Sequence, residues 1–524
     1  MIKYIKYCCG LLTLAFLVTA CHKNLDRFPP NDITSAQLYS TELGYKQVLA
    51  KVYGSMAMTG NTGPAGSGDV AGIDEGTSDF LRLFWKAQEL STDEAVVAWN
   101  DPGIQDFHNM NWSANNPMLI GLYSRCFYII TLCNEFIRES SDDKLTSRGL
   151  GGNDNIKKMR AEARFVRAFQ YWVLMDLFAN PGFTNEETPI GAAVRPEQKK
   201  RAELFTYIES ELTAIEPELA AAKGNEYGRA DKAASWALLA RMYLNAGVYT
   251  GTNQYDKAAT FAKKVIDAGY TLLPKYGYLM LADNNLNNTE AIWTLNYDGL
   301  KTKNYGGTTF LVNASCGGDM DANYSGLTKW AGIRTTKNLP MLFPDYTGTI
   351  DKRAQFFQQN LEIEKISEFK DGFAVTKYRN RTRDSLFGSD VERTFSDIDF
   401  PVFRLAEMYL IYAEAVVRGA TTGTSAQAVT YFNTLRQRAY GNTNGNITTL
   451  NSNLILDERA RELYWEGFRR SDLVRYDKFT DGAYLWPWKG GIKNGTGVSS
   501  HLRIYPLPAT EVGSNPNIKQ NTGY

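Results

Sequence analysis

The sequence predicts a mainly α-helical protein, a scaffold of tetratricopeptide-like helical hairpins that carries long loop-rich insertions. Three observations lead to this class. Apolar residues recur at helical spacing from about residue 117 onward. One helical pair has the spacing of a tetratricopeptide repeat. Stretches rich in Gly, Ser, Asn and Asp interrupt the helical pattern, as is typical of loops.

The N-terminal segment is typical of a secretory signal. Lys3 and Lys6 precede the apolar run LLTLAFLV at 11–18, which is shorter than the about 20 residues that a membrane-spanning helix needs. The run ends in LVTAC, which resembles the bacterial lipobox, where a peptidase cuts before a cysteine that then receives a lipid. We therefore expect a signal peptide at 1–20 and lipidation of Cys21. An ordinary signal peptide with a chance cysteine is the alternative.

The remaining chain, residues 21–524, is expected to form one domain because no Pro/Ser-rich linker divides it. Removal of the first 20 residues takes away Lys3 and Lys6, so the formal charge falls from 0 to −2. Such a chain lacks the basic balance that nucleic-acid binding requires. No later segment is long and apolar enough to cross a bilayer, so we expect membrane contact through the lipid only. Three histidines, none near another, leave little material for a zinc site or a Ser-His-Asp triad.

The clearest helical hairpin lies between residues 230 and 270. The repeat spacing W-x₂-L-[G/A]-x₂-Y occurs at Trp236, Leu239, Ala240 and Tyr243. Two similar helical pairs can be drawn, at 160–178 with 202–219 and at 403–419 with 425–439. Stacked hairpins bury their apolar faces against one another, which predicts a curved helical scaffold. A generic helical bundle is the alternative.

Three stretches break the helical period, at 54–80, 282–327 and 345–400. Their composition predicts loops, and long loops on a rigid frame often carry binding residues. The stretch Asp283–Asn288, with the sequence DNNLNN, is rich in oxygen ligands and could bind Ca²⁺. It lacks the spacing of an EF-hand, so a polar loop is favoured and no cofactor is expected.

Five segments carry a resemblance to a known family. They are LRLFWKAQELSTDEAVVAWND, RAEARFVRAFQYWVLMDLFANP, FRLAEMYLIYAEA, ERARELYWEGFRRSDLVRY and IYPLPATEVGSNPNIKQNTGY. These segments resemble the SusD/RagB family of outer-membrane nutrient-uptake lipoproteins, and the resemblance covers the chain from Cys21 to Tyr524. Finer details, such as KTKNYGGTTFLV and YLWPWKGG, are similar to the starch-binding member of the family.

The resemblance implies a lipid-anchored glycan-binding protein of the outer membrane that faces the cell exterior. Its partner would be a SusC-like TonB-dependent transporter, to which it delivers oligosaccharides. An oligosaccharide or polysaccharide is the implied ligand, with a starch-like α-glucan as one candidate, and no enzymatic activity is implied. Two alternatives of different class stay open, a surface-anchored glycoside hydrolase and a non-glycan protein-interaction scaffold.

A glycan site needs exposed aromatic rings, which stack on the apolar faces of sugars, with polar side chains at their edges. The candidate glycan-binding residues are Arg82, Trp85, Trp99, Asn100, Asn304, Tyr305 and Trp330. Glycines follow Tyr305, so its ring is expected to stay uncovered. The resemblance assigns Arg82, Tyr305 and Trp330 to an arc that cradles a turn of amylose. Core packing is the alternative for each tryptophan, and a structural ion pair is the alternative for Arg82.

One position departs from the starch-binding relatives. Val97 stands where the relative carries a further tryptophan, so the arc is expected to lack one ring, which weakens the case for starch. The charged run Glu458, Arg459, Glu462, Arg470, Asp472 and Arg475 is expected to pair internally and to serve the fold. The pairs Asp74-Glu75 and Asp93-Glu94 are carboxylates without an accompanying hydrolase motif.

Overall fold

The computed structural model describes residues 34–191 and 195–524. The predicted signal peptide at 1–20 and the predicted lipid site Cys21 lie outside these ranges. A search of the described helices finds none with the length and apolar character of a membrane span.

The described chain is mainly α-helical, which confirms the predicted fold class. The α-helices, in chain order, are α1 Ser35–Leu38, α2 Glu42–Ala57, α3 Phe80–Glu89, α4 Asp106–Asn109, α5 Pro117–Glu139, α6 Asp142–Ser147, α7 Asp154–Phe178, α8 Arg201–Ile215, α9 Lys232–Leu244, α10 Ala246–Thr250, α11 Tyr255–Asp267, α12 Gly307–Ala314, α13 Ala322–Ser325, α14 Leu405–Val417, α15 Ser425–Tyr440, α16 Ser452–Leu463, α17 Arg469–Arg475 and α18 Ala509–Ser514. Short 3₁₀ turns lie at Gly76–Ser78, Tyr276–Tyr278, Pro340–Leu342, Lys489–Gly491 and Ser500–Arg503.

Short strands connect the loops to the helical frame. They are β1 Val96–Val97, β2 Gly182–Phe183, β3 Glu197–Gln198, β4 Ala291–Leu295, β5 Ile333–Arg334, β6 Phe356–Phe357, β7 Ala374–Val375 and β8 Phe400–Arg404. They form antiparallel two-stranded ladders, in which β1 pairs with β5, β2 with β3, β4 with β8 and β6 with β7. In the first ladder Val97 lies opposite Ile333, which ties two distant loop regions together.

The three predicted helical hairpins are present. Helix α7 packs on α8, α9 packs on α11, and α14 packs on α15. Helix α11 also packs on α14, so consecutive hairpins share their apolar faces as repeat scaffolds do. Asp231 caps α9 by accepting hydrogen bonds from the Ala233 and Ala234 amides, at 2.8 and 3.2 Å. Trp236, which the repeat spacing places at a core position, is only half-buried, and the Lys264 ammonium lies 5.2 Å from its ring.

The predicted loops are only partly correct. The stretch 282–327 contains strand β4 and helices α12 and α13, and α2 extends into the first residues of 54–80. Every residue of α12 is buried, although its first residue is a glycine and β-branched threonines follow. Tertiary packing therefore overrides a weak local helix propensity in this segment.

A set of buried charges forms the centre of the C-terminal half. This ionic network comprises Glu290, Arg353, Arg404, Arg438, Glu458, Glu462 and Glu466. Arg353 pairs with Glu458 at 2.8 Å, and Arg404 pairs with Glu462 at 2.7 Å. Burial by itself would raise the pKa of the Glu458 carboxyl, but Arg353, Arg461 and Arg436 outweigh it and lower the pKa to about 2.

The rest of the predicted charged run also serves the fold. Asp472 accepts hydrogen bonds from Arg459 at 2.7 Å and from Arg475 at 2.8 Å. Arg470 donates to the carbonyl of Arg503 at 2.6 Å. All four side chains are buried, so the expectation of internal pairing holds for this run, with Arg470 satisfied by backbone rather than by an acid.

Candidate functional site

Three half-exposed aromatic rings lie side by side on the surface. The ring centroids of Trp99 and Trp330 are 6.4 Å apart with their planes inclined by 46°. Those of Trp330 and Tyr305 are 6.3 Å apart and inclined by 50°. We call Trp99, Tyr305 and Trp330 the aromatic surface. The structure thus brings together three of the seven candidate residues, although 231 positions separate the two tryptophans.

Backbone pairing fixes the two tryptophan loops to each other. The Ala98 amide donates to the Gly332 carbonyl at 2.7 Å, in continuation of the β1–β5 ladder. The Trp99 indole N–H donates to the Trp330 carbonyl at 3.2 Å. Gly332 is required at this crossing, because a Cβ there would lie 2.3 Å from the Trp99 ring. The Trp330 amide in turn donates to the Asn313 carbonyl at the end of α12, at 2.9 Å.

Tyr305 is held by the two glycines that follow it. Asp79 caps helix α3 and also accepts a hydrogen bond from the Gly307 amide at 2.8 Å. A Cβ at Gly306 would lie 2.1 Å from the Cβ of Asp79, so only glycine permits this close approach. Gly307 has a φ of +52°, which also favours glycine. The Tyr305 side chain remains 37% exposed, as expected from the glycines beside it.

Arg82 lies on α3 behind Tyr305. Its Nη1 donates to the Tyr305 carbonyl at 3.0 Å, and its guanidinium lies 4.7 Å from the Phe310 ring. Within the described part of the chain no carboxylate oxygen lies within 4 Å of it, so the ion-pair alternative is wrong there. Burial, only partly offset by Asp74 and Asp79, lowers the pKa of Arg82 to about 10. Arg82 therefore positions the Tyr305 loop, and it stays half-exposed at the edge of the aromatic surface.

Two candidates lie in the core, and the expectation that they face a ligand is corrected. Trp85 is 0% exposed, and its indole N–H donates to the Trp465 carbonyl at 2.9 Å. Asn304 is 1% exposed, and its side chain donates to the Ala57 carbonyl at 2.6 Å and accepts from the Gly306 amide. The first case follows from the burial of α3 itself, since nine of its ten residues, Trp85 among them, are buried. Asn304 instead shapes the turn that presents Tyr305.

Asn100 and Val97, which flank the Ala98-Trp99 pair, differ in their exposure to solvent. Asn100 is exposed directly after Trp99, so it lies at the edge of the aromatic surface. Val97 is 0% exposed and lies opposite Ile333 in the β1–β5 ladder. The Val97 side chain therefore presents no surface to a ligand, and the expectation that the arc lacks one ring at this position stays a prediction.

The two acidic pairs have different surroundings. Asp93 pairs with Arg469 at 2.7 Å, and Glu94 accepts a hydrogen bond from the Trp465 amide at 3.1 Å, so both are core groups. Glu75 lies beside the aromatic surface, since a Cβ on the next residue, Gly76, would lie 2.7 Å from the Cβ of Tyr305. Burial, together with the nearby carboxylates of Asp74 and Asp79, raises the pKa of Glu75 to about 7.

Sequence reasoning missed the aromatic residues that support the surface from below. Phe395 lies 5.4 Å from the Tyr305 ring, and Phe310 lies 6.1 Å from the Trp99 ring. Both are buried and come from segments that were expected to be loops. The run of β-branched and apolar residues in GGTTFLV was the local indication that Phe310 is buried.

The oxygen-rich stretch at 283–288 is occupied by protein contacts. The Asp283 carboxylate accepts from the Arg383 amide at 3.1 and 3.2 Å, and the Asn284 amide donates to the Leu279 and Asp399 carbonyls at 2.8 Å. Across residues 34–191 and 195–524, no group of three or more His, Cys, Asp or Glu side chains is arranged to hold a metal ion.

Comparison with known proteins supports one family. The family model described as the SusD family matches residues 345–524. The starch-binding protein SusD of Bacteroides thetaiotaomicron is 36% identical, in an alignment that covers 100% of this chain and 99% of that protein. The surface glycan-binding protein A of Bacteroides fluxus has the same fold, with a TM-score of 0.70 at 19% identity over 92% of this chain and 100% of that one. The surface glycan-binding protein A of B. thetaiotaomicron, solved with laminarihexaose, gives a TM-score of 0.68 at 19% identity over 92% and 99%.

Proposed function

This chain belongs to the SusD family. We propose that it binds glycans at the outer-membrane surface and delivers oligosaccharides to a SusC-like TonB-dependent transporter. The observation that carries the proposal is the aromatic surface of Trp99, Tyr305 and Trp330. Such rings stack on the apolar faces of sugars, and the exposed Asn100 and the edge of Arg82 offer hydrogen bonds to hydroxyl groups.

The ligand that we propose is a starch-like α-glucan. Adjacent ring planes are inclined by 46° and 50°, so they do not form one flat wall. Inclined rings suit a polymer whose sugar units turn relative to one another. The 36% identity to a protein named for starch binding supports the same assignment. Several weak contacts along one polymer combine into useful affinity.

The anchoring follows from the N-terminal pattern. We propose that residues 1–20 direct export, that Cys21 carries the lipid, and that residues 21–524 form the displayed domain. A lipid places the aromatic surface beside the transporter without a membrane-spanning segment, and two or more acyl chains make such attachment stable.

Affinity electrophoresis in gels that contain amylopectin, pullulan or laminarin tests the proposal. Wild-type protein should be retarded by amylopectin, and Tyr305→Ala and Trp330→Ala should each lose about tenfold in affinity. Tyr431→Ala is the matched control, because Tyr431 is a half-buried tyrosine on α15 that stacks on Tyr409 at 4.7 Å. If Tyr305→Ala and Trp330→Ala were retarded as strongly as wild type and the control, the site would lie elsewhere.

Glycoside hydrolysis is the second candidate, and Glu75 is the observation that favours it. A carboxyl with a pKa of about 7 beside a sugar-stacking surface has the property of a general acid. Sustained release of reducing ends from amylopectin, abolished in Glu75→Gln, would establish hydrolysis. Retardation without new reducing ends supports binding alone. Co-purification of a transporter with no glycan binding would instead support a protein-interaction scaffold.

A further inference from the structure

A second concave region, separate from the aromatic surface, is lined by positive charge. It is a cleft of about 480 Å³ between the Tyr276–Tyr278 turn and the 379–385 segment, within the size range typical of small-ligand sites. Its cationic side chains are Lys275, Lys352, Arg379, Arg381, Arg383 and Arg438. No Asp or Glu is among the described residues that line it. We call this region the basic cleft.

Most of this charge is not neutralised by the protein. Arg438 is compensated by Glu290 and Glu462, and the Arg383 guanidinium lies 3.9 Å from the Asp283 carboxylate. The other four cations, Lys275, Lys352, Arg379 and Arg381, make no ion pair with any residue in 34–191 or 195–524. An excess of four cations in one concavity concentrates positive potential there.

Two of these four cations are fixed by backbone carbonyls. Lys352 donates to the carbonyls of Gly348 and Thr349, at 3.0 and 2.6 Å. Arg381 donates to the Asn323 carbonyl at 2.7 Å. Carbonyl oxygens hold these side chains in place without cancelling their charge, so both remain able to attract an anion.

Arg379 differs from Arg381, Arg383 and Arg438 of the cleft in that its side chain makes no hydrogen bond to the described residues. Its backbone amide donates to the Met280 carbonyl at 3.1 Å, which fixes the position of the residue. Its Nε is buried and has no hydrogen-bond partner within the described structure. Its Nη2 lies 3.9 Å from the point where a Cβ on Gly277 would stand, so the guanidinium points into the cleft beside that glycine. A guanidinium with free N–H groups binds a planar or tetrahedral oxyanion through two parallel hydrogen bonds.

One segment, α13 with the loop that follows it, lies next to the cleft at one end and carries part of the aromatic surface at the other. The Arg379 guanidinium lies 5.4 Å from the ring of Tyr324 in α13, and Trp330 follows six residues later. Arg381 donates to the carbonyl of Asn323, also in α13. Within the cleft the half-exposed Tyr278 ring lies between the Lys275 and Arg383 cations, at 5.3 and 5.2 Å, and adds an apolar plane next to the charges.

We propose that the basic cleft binds an oxyanion carried on a sugar, a uronate carboxylate or a sulfate ester, with Arg379 as its main contact. This proposal rests on the proposed function, because the segment from α13 to Trp330, which joins the two regions, is what favours a glycan over other anions. It extends the ligand class from neutral α-glucans to glycans that bear acidic substituents. The phosphate of a membrane lipid is the competing source of an oxyanion.

Calorimetry on the full lipidated chain in neutral detergent tests the site, with hexagalacturonate, dextran sulfate, maltohexaose and dihexanoyl-phosphatidylglycerol as probes. Arg379→Gln should weaken binding of hexagalacturonate and of dextran sulfate at least tenfold, and raising NaCl from 50 to 500 mM should weaken wild-type binding in the same direction. Lys275→Gln, at an exposed position, should weaken it less. Lys158→Gln, which removes one exposed charge on α7, is the matched control and should change nothing.

Maltohexaose separates the two proposals. Its affinity should fall about tenfold in Tyr305→Ala and stay unchanged in Arg379→Gln, so a failure of the aromatic surface and a failure of the basic cleft give different patterns. The cleft proposal is overturned if Arg379→Gln and Lys158→Gln bind both acidic glycans equally well. It is also overturned if wild-type protein binds neither acidic glycan, or if Arg379→Gln affects the phospholipid alone.

Discussion

The ionic network around α16 and the aromatic surface differ in one property, the access of water to their side chains. Glu458 and Glu462 of the network are 0% exposed and lie against arginines at 2.7–2.8 Å. Tyr305 of the aromatic surface is 37% exposed. Both regions combine residue types that are commonly found in functional sites, so residue type alone does not distinguish them.

Solvent access therefore distinguishes the side chains that stabilise the fold from those that are available to a ligand. A buried carboxylate whose oxygens all accept hydrogen bonds from arginines has no lone pair left for a substrate. The network therefore contributes to the fold. An aromatic ring with an open face still has its stacking surface available. Substitutions and acid should therefore act on stability in the network and on glycan affinity at the aromatic surface.

Loss of one network cation should have the largest effect. Arg404→Ala removes the cation that pairs with Glu290, Glu462 and Glu466 at 2.7–2.9 Å and leaves these buried carboxylates under-compensated, so it should lower the free energy of unfolding by about 3–5 kcal/mol. Urea denaturation measures this change. Arg503→Ala is the control, because Arg503 forms an exposed pair with Asp477, and it should cost less than about 1 kcal/mol. Equal losses in the two variants would contradict the contrast.

Acid should have the second-largest effect, a loss of the stability that the Glu458 carboxylate contributes to the network. The Glu458 pKa is held at about 2 in the folded protein against 4.5 in a free side chain, so the unfolded chain binds a proton first as the pH falls. Its contribution of about 3 kcal/mol is complete above about pH 4.5 and is lost as the pH falls towards 2. Thermal unfolding between pH 6 and pH 3 measures the loss. Glu458→Gln should be less stable at pH 6 and should show a shallower decline; an equal slope would assign the effect to other groups.

Val97→Ala should affect stability and leave binding unchanged. Val97 is fully buried opposite Ile333, and removal of its two methyl groups should cost about 2 kcal/mol of stability. Glycan affinity should stay within twofold of wild type, measured in the same amylopectin gels, while Trp99→Ala should reduce it. A tenfold loss of affinity in Val97→Ala would show that this position belongs to the binding surface.

Tyr305→Phe should have the smallest effect. The Tyr305 hydroxyl makes no hydrogen bond to the described residues, and the phenyl ring preserves the stacking face. Affinity for amylopectin should therefore fall less than threefold, against about tenfold for Tyr305→Ala. If the two substitutions were equally damaging, the hydroxyl rather than the ring would be the contact with sugar.

Much of the fold was predictable, because it depends on local patterns. The hairpins at α7–α8, α9–α11 and α14–α15 follow from apolar spacing alone. The family resemblance placed Tyr305 and Trp330, with Arg82, in one arc, whereas Trp99 was only a separate candidate; no local rule joins residues more than 200 positions apart. Burial of Trp85 could not be derived, because it depends on the packing of α3 against distant segments such as that of Trp465, 380 positions away. The basic cleft was also missed, since its cations come from segments around 275, 352 and 379–383 that only the tertiary fold brings together.

The hydrogen bonds between Ala98 and Gly332 and between Trp99 and Trp330 have a consequence for assembly. They close a loop of more than 230 residues, and such long-range closures are slow and come after local helices have formed. The register between the two tryptophans is therefore set by contacts that form late, after the helices between them have packed. The aromatic surface is therefore complete only in molecules whose intervening 231 positions have folded around it.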